Sequence, residues 1–241
     1  FYADIMQGPT EVTGSFNLCV VKIDEKTTKF AVDCGMYQEQ DYAKQNSTFL
    51  ATPENVDFAI LTHNHVDDNG RFPLFVRQGF EGNIYTSEVT AEILATSLYD
   101  NLKVINDSSK RQNNQGLYDE SDVAETMKHV VGCAYNKPIK VNENITLTFV
   151  PNGHLIGAAC VLAQIHCPGE YKDINLFFTG DYNNKNLFFK VDPVRKWITE
   201  LPLTIVTEST YGYMNTSEIK EVFRKNVLNA LKQKKNIIIL N

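Results

Sequence analysis

No stretch of this 241-residue chain approaches the roughly 20 apolar residues that a bilayer-crossing helix needs, and Phe1-Tyr2-Ala3-Asp4 does not open a signal peptide. A soluble protein is expected. Cysteine is scarce: there are five, Cys19, Cys34, Cys133, Cys160 and Cys167, odd in number and without a C-x-x-C pair. That argues against a disulfide framework and fits reduced core thiols in an intracellular protein, cytoplasmic or, in a eukaryote, nuclear. An excess of positive charge is missing as well, since 23 basic against 29 acidic residues leave a net charge of -6. Gripping nucleic acid by overall charge is thereby disfavoured, whereas a local basic groove or a metal that meets phosphate directly is not. Internal repeats and low-complexity linkers are lacking too. The 43% of hydrophobic residues that remain can bury a sizeable core, in one large or two smaller domains.

The coarse order is strand-rich at both ends with helices between. Residues 16–23 and 28–32 are apolar, β-branched runs parted by Asp24-Glu25-Lys26-Thr27, a hairpin pattern, and the second run ends in the turn Asp33-Cys34-Gly35. Residues 56–61 form a short, almost wholly apolar run, as expected of a strand covered on both faces. Residues 87–102 carry apolar side chains at helical spacing with Ser87 as the cap, and the polar residues 106–116 are expected to end that helix. A short helix over 123–131 is followed by strands over 139–141, 145–150, 158–165, 174–178 and 203–207. Residues 217–231 form an amphipathic helix. The run Ile237-Ile238-Ile239-Leu240 then reads as a strand begun with nothing after it, as in a fragment of a longer chain.

Three of these strands end in ionisable side chains. Behind Phe58-Ala59-Ile60-Leu61 stands T-H-N-H-V-D-D-N-G, which puts His63, His65, Asp67 and Asp68 within six residues. The two histidines are two apart, so an extended segment aims both rings the same way. Gly153-His154-Leu155-Ile156-Gly157 follows the strand that ends at Val150, and Thr179-Gly180-Asp181 follows Phe178. Alone, His154 reads as a satisfied polar residue and Asp181 as a turn residue. Together with the first cluster they read as ligands of a divalent metal, because burying so many unpaired ionisable groups without an ion is costly. His129 and His166 have no such neighbours and are expected to be structural or surface residues. Asp33 is expected to fix its turn by accepting backbone hydrogen bonds, with a role behind the metal ligands as the alternative.

These motifs, in this order, resemble those of the metallo-β-lactamase superfamily, whose first signature is H-x-H-x-D-H. The segment Thr207-Glu208-Ser209-Thr210-Tyr211-Gly212 narrows the likeness to the β-CASP branch, which contains RNA-processing nucleases such as RNase J and the mRNA 3′-end cleavage subunit. The resemblance covers residues 8–241. It implies an α/β (α+β) fold, the αββα sandwich, with residues 1–212 in the metallo-β-lactamase domain and 213–241 opening a β-CASP domain that is incomplete here. It also implies that His63, His65 and His154 hold a first zinc, that Asp67 and Asp181 serve a second, with Asp181 bridging, and that Glu208 supports the site from its margin. Asp67, Asp181 and Glu208 are accordingly the catalytic candidates. The implied reaction is hydrolysis of a phosphodiester, by water that two zinc ions activate, and the implied partner is RNA. A homodimer or an RNA-processing complex is the implied assembly, with no membrane.

One position departs from the family pattern: Asp68 stands where it has histidine. Aspartate is shorter and offers oxygen, so it either falls short of the second zinc or shifts the site towards manganese or magnesium. Three readings stand: an inactivating substitution made by design, a natural change in a degenerate homologue kept for RNA binding or assembly, and a working site with altered metal preference. A DNA nuclease of the same branch remains the alternative substrate class, while Glu208-Ser209-Thr210-Tyr211-Gly212 argues against thioester and lactam cleavers. Arg71, Arg77, Lys185, Lys190, Arg195 and Lys196 either meet phosphates or form a solvated surface. Tyr211 and Tyr213 either stack on bases or pack a loop.

Overall fold

The structure, a computed structural model, describes residues 2–7, 12–112, 116–183, 191, 194–210 and 216–233. Tyr211, Gly212, Tyr213, Lys185, Lys190 and residues 237–240, all read from the sequence above, lie outside the described residues. The chain divides into two compact units, Phe1–Glu208 and Ser209–Asn241.

The first unit holds two sheets. Strands β1 (Tyr2–Gln7), β2 (Asn17–Ile23), β3 (Lys26–Val32), β4 (Phe58–Ile60), β5 (Asn83–Ser87) and β6 (Val130–Cys133) lie side by side in sequence order. The first three run antiparallel, and β3 to β6 are parallel. Strands β7 (Ile139–Lys140), β8 (Ile145–Pro151), β9 (Ala159–Ile165), β10 (Ile174–Phe178) and β11 (Leu203–Val206) form the second sheet, in the order β11-β10-β9-β8-β7. Helices α1 (Val66–Asn69), α2 (Phe72–Arg77), α3 (Glu88–Gln112), α4 (Glu120–His129) and α5 (Lys196–Thr199) complete the unit.

Strand alternation sorts the apolar side chains into layers. On one face of the first sheet Leu18, Ala31, Ala59 and Ile84 pack with Phe72, Phe75, Leu94, Leu98 and Val123 of the helices. The opposite face sends Cys19, Val21, Phe30, Ile60 and Tyr85 against Leu147, Phe149, Val161, Ala163 and Leu176 of the second sheet. The outer face of that sheet, through Val150, Leu162 and Phe177, packs on Ile198 of α5. Helix, sheet, sheet, helix is the resulting order, an αββα sandwich.

The β2–β3 hairpin turns where expected, with Asp24 at φ 52. Ser87 caps α3 by accepting the Thr90 N–H at 3.1 Å. That helix runs to Gln112, past the polar residues expected to stop it: from Asn106 to Gln112 there is no proline or glycine, and polar residues of ordinary helix propensity do not end a helix. Helix α4 ends earlier than expected, at His129, so that Val130 and Val131 belong to β6, paired with Ile84 and Tyr85. All five cysteines are free. Burial pushes the Cys34 and Cys160 thiols up to about 12 and makes them poor nucleophiles.

In the second unit α6 (Thr216–Lys232) is the helix expected from the apolar spacing; Val222, Phe223 and Leu228 are exposed on it.

Candidate metal centre

The site is built where strands of both sheets end. At the end of β3, Asp33 adopts φ 63 and donates its N–H to the Ile60 carbonyl of β4 at 2.8 Å. This turns the Asp33 carboxylate onto the next residues of β4's exit: it accepts the Thr62 N–H at 2.8 Å and the Thr62 hydroxyl at 3.0 Å. The Thr62 Oγ1 lies 3.0 Å from Nδ1 of His63. With its hydroxyl hydrogen directed to Asp33, Thr62 accepts from Nδ1, which leaves Nε2 of His63 a lone pair facing the cavity.

His65 follows in extended conformation just before α1, so its ring turns the same way as that of His63. Its Nδ1 is 3.1 Å from Nε2 of His63 and 3.1 Å from Nε2 of His154. The three rings meet edge to face, with centroids 4.8 to 4.9 Å apart. Asp181 closes the group, its Oδ2 lying 3.6 Å from Nε2 of His154 and 3.8 Å from Nε2 of His63. One atom from each of His63, His65, His154 and Asp181 falls within 4.8 Å of all the others, and the same holds for His65, Asp67 and Asp68. The Asp68 carboxylate is buried with Oδ2 3.3 Å from Nε2 of His63, and the Ser15 hydroxyl hydrogen-bonds to it. Glu208, at the exit of β11, accepts the N–H of Tyr182 at 3.2 Å and so braces the turn that carries Asp181.

These donors fit a divalent cation. Tetrahedral coordination with metal–nitrogen bonds of ~2.0–2.1 Å puts ligand nitrogens ~3.3–3.4 Å apart, close to the spacing found. Burial first, then the neighbouring rings of His154 and His65, hold His63 down at about 2, and burial lowers His154 as well. Both imidazoles are thus neutral, the form that binds metal. The carboxylates move the other way: burial, then Glu208 and Asp67, raises Asp181 to about 6, and burial, then Asp33, Asp181 and Asp67, raises Asp68. Burial also pushes Asp33 up to about 8, against the two hydrogen bonds from Thr62. Converging lone pairs and crowded carboxylates both repel, and one cation relieves both. The cluster can hold a divalent metal ion.

The remaining sequence candidates lie elsewhere. His129 Nδ1 meets the Gly82 carbonyl at 2.9 Å. His166 sits at the β9–β10 hairpin between Asp173, at 2.8 Å, and the Thr146 hydroxyl. Arg71 corrects both readings offered for it: it is buried, donates to the carbonyls of Gly35, Gln45 and Thr48, and stacks over Tyr37 and Phe49 at 5.1 and 5.0 Å. Its position after the metal motif is a consequence of the loop it holds. Arg77 pairs with Asp122 at 3.2 Å and Lys196 with Glu200 at 3.4 Å, both on the surface.

Sequence reasoning missed two residues here. Ser15 gives no signal before the fold brings its loop to α1. Asn152, a buried amide next to Gly153-His154, is a polar residue just beyond an apolar strand, a weak signal that turns share.

No family model matches the chain. Individual proteins do. Ribonuclease TTHA0252 of Thermus thermophilus is 30% identical over 215 residues, which is 89% of this chain and 45% of that protein. Transcription termination factor FttA of Methanosarcina mazei is 29% identical over 78% of this chain and 28% of its own length. The Integrator complex subunit 11 homolog of Dictyostelium discoideum is 28% identical over 80% of this chain and 25% of its own. Over most of its length the chain is thus similar to β-CASP proteins of the metallo-β-lactamase superfamily. It spans less than half the length of these β-CASP relatives.

Proposed function

We propose that this protein hydrolyses phosphodiester bonds in RNA, as an endonuclease, a 5′-exonuclease or both. The observation that carries the reading is the convergence of three imidazole nitrogens and the Asp181 carboxylate from separate strand exits, with Asp67 and Asp68 alongside. The name of one relative, a ribonuclease, favours RNA over DNA.

In this reading His63, His65 and His154 would hold a first ion, Asp67 and Asp68 would serve a second, and Asp181 would serve both. The imidazole-rich first position suits zinc, and the carboxylate-rich second position suits manganese or magnesium as well. A bound pair of ions supplies water activation at neutral pH and neutralises charge that develops on the phosphate. Asp67 positions the attacking water, Asp181 orients the donors about it, and Glu208 keeps the Asp181 turn in place. The protein works as a homodimer or inside an RNA-processing complex, in the cytoplasm or nucleus, where its free thiols stay reduced. Residues 1–212 form the metallo-β-lactamase domain, and those after them open the β-CASP domain.

A second reading rests on Asp68: with a buried carboxylate in place of the family histidine, the protein is a catalytically degenerate RNA-binding or scaffold subunit. Labelled RNA and DNA of one sequence, incubated with the full-length protein in zinc or manganese, separate the two. Cleavage of RNA that disappears in His63→Ala supports the nuclease; tight RNA binding without cleavage in any metal supports the scaffold.

A further inference from the structure

One buried amide joins the two loops that deliver His154 and Asp181. Asn152 is 2% exposed. Its Nδ2 donates to the Thr179 carbonyl at 2.9 Å and to the Asp181 carbonyl at 2.8 Å, while its Oδ1 accepts the His154 N–H at 3.1 Å. Both amide hydrogens and the carbonyl oxygen are thus used, each on the side that suits it. The backbone of the same residue adds two ties, donating to the Ala158 carbonyl at 3.3 Å and accepting the Asn183 N–H at 3.2 Å. One residue therefore spans the turn before His154 and the turn around Asp181.

The far end of the His154 loop is held independently. The Gly157 carbonyl accepts the Ser87 hydroxyl at 2.6 Å and the Thr90 hydroxyl at 2.9 Å, both at the start of α3. Gly157 itself has φ +90, and a Cβ there would lie 2.6 Å from the Thr90 hydroxyl. The loop is consequently clamped to the first sheet's helix at one end and to the second sheet's Asp181 turn at the other. Only the second clamp sets one metal ligand against another.

We infer that Asn152 is a positioning residue, which fixes the spacing between the imidazole of His154 and the carboxylate of Asp181 and so tunes how tightly and in what geometry the site holds metal. The inference rests on the metal-centre reading above. It is carried by the three hydrogen bonds that the amide makes to main-chain groups, each belonging to a ligand or to the turn that bears one.

Two variants of the full-length protein dissect the clamp. Asn152→Ala removes these three hydrogen bonds and the one that the amide shares with the Cys160 side chain. Asn152→Asp has the same shape and keeps the acceptor for the His154 N–H, but sets an oxygen against the Thr179 and Asp181 carbonyls. Each is titrated with cobalt(II), whose visible absorption band reports coordination geometry and is read without substrate. Circular dichroism and the melting temperature of the metal-free protein are recorded beside it. The expected result is at least tenfold weaker cobalt binding for both variants, with a shifted or weakened band, in protein that retains wild-type circular dichroism. A lower melting temperature alongside wild-type affinity and band, in the variant that folds, would reduce Asn152 to a structural residue and overturn the inference. Wild-type protein that gives no cobalt band at all would instead refute the metal-centre reading, and the two failures are distinguished by that control.

Discussion

The carboxylate of Asp68 meets the imidazole of His63 with 3.3 Å between Oδ2 and Nε2, at a position where Asp68 is 4% exposed. Burial, then Asp33, Asp181 and Asp67, favours the neutral form of this carboxyl, so it adds negative charge to the site only when a cation draws its proton off. It also places oxygen where the family has nitrogen on a longer side chain.

Replacing that carboxylate is the most direct test. Asp68→His in the full-length protein is expected to raise metal content by up to one further equivalent and to raise the rate of RNA cleavage. Elemental analysis by mass spectrometry, run beside a labelled-RNA assay, measures both. No change in either quantity would show that Asp68 is not what limits the site.

Thr62 links Asp33 to His63, and Thr62→Val removes the hydroxyl while conserving shape. Nδ1 of His63 loses its acceptor and the Asp33 carboxylate keeps only the Thr62 N–H. A loss of about 1–3 kcal/mol in unfolding free energy is expected, together with weaker zinc binding. Urea unfolding and a zinc titration against a competing chelator check the two effects separately.

Gly35 is crowded by backbone rather than by a movable side chain: a Cβ there would lie 1.5 Å from the Asp67 carbonyl oxygen. Gly35→Ala is therefore expected to cost about 1–3 kcal/mol or more through overpacking and to displace Asp67 from the ligand group. Denaturant unfolding reads the first effect, metal content of the folded protein the second. Wild-type values in both would mean that the turn yields without moving Asp67.

The buried carboxylates give the metal-free protein a pH signature. Asp33, pushed up to about 8, holds a proton in the folded chain that the unfolded chain has already lost, so its stabilising share disappears as pH rises through about 8. His63 and His154, both lowered, act oppositely, but only below about pH 6.5, the ordinary histidine value. Between pH 6.5 and 8 the carboxylates dominate. Urea unfolding in excess chelator should show stability falling by up to ~1.4 kcal/mol per pH unit through Asp33. Equal or greater stability at pH 8.5 than at 6.5 would contradict this. Saturating metal should flatten the trend, because metal binds the deprotonated carboxylates.

Much of the candidate site was legible because each side chain of the His63, His65, His154 and Asp181 cluster sits directly behind an apolar strand. His63 and His65 announce themselves by their spacing, and His154 and Asp181 by flanking glycines. The αββα order followed from the resemblance, and the strand and helix patterns agree with it. Less legible was anything decided by the direction of one side chain. Arg71 stands three residues after Asp68 yet turns inward to hold Gly35, Gln45 and Thr48. The strands Asn83–Ser87 and Val130–Cys133 abut helices, so their short apolar runs merge with the helical pattern beside them. Asn152 acts on carbonyls 27 and 29 residues away, which local spacing does not encode.

The donors come from opposite sheets: His63 and His65 leave the first, His154 and Asp181 the second. A complete coordination shell therefore exists only after the two sheets have docked face to face, so high-affinity uptake is a late event in folding. Once seated, an ion bridges that interface, and prying the sheets apart must also break its bonds. Unfolding of the loaded protein should thus be slower than that of the stripped one, even where both share the same apolar interior.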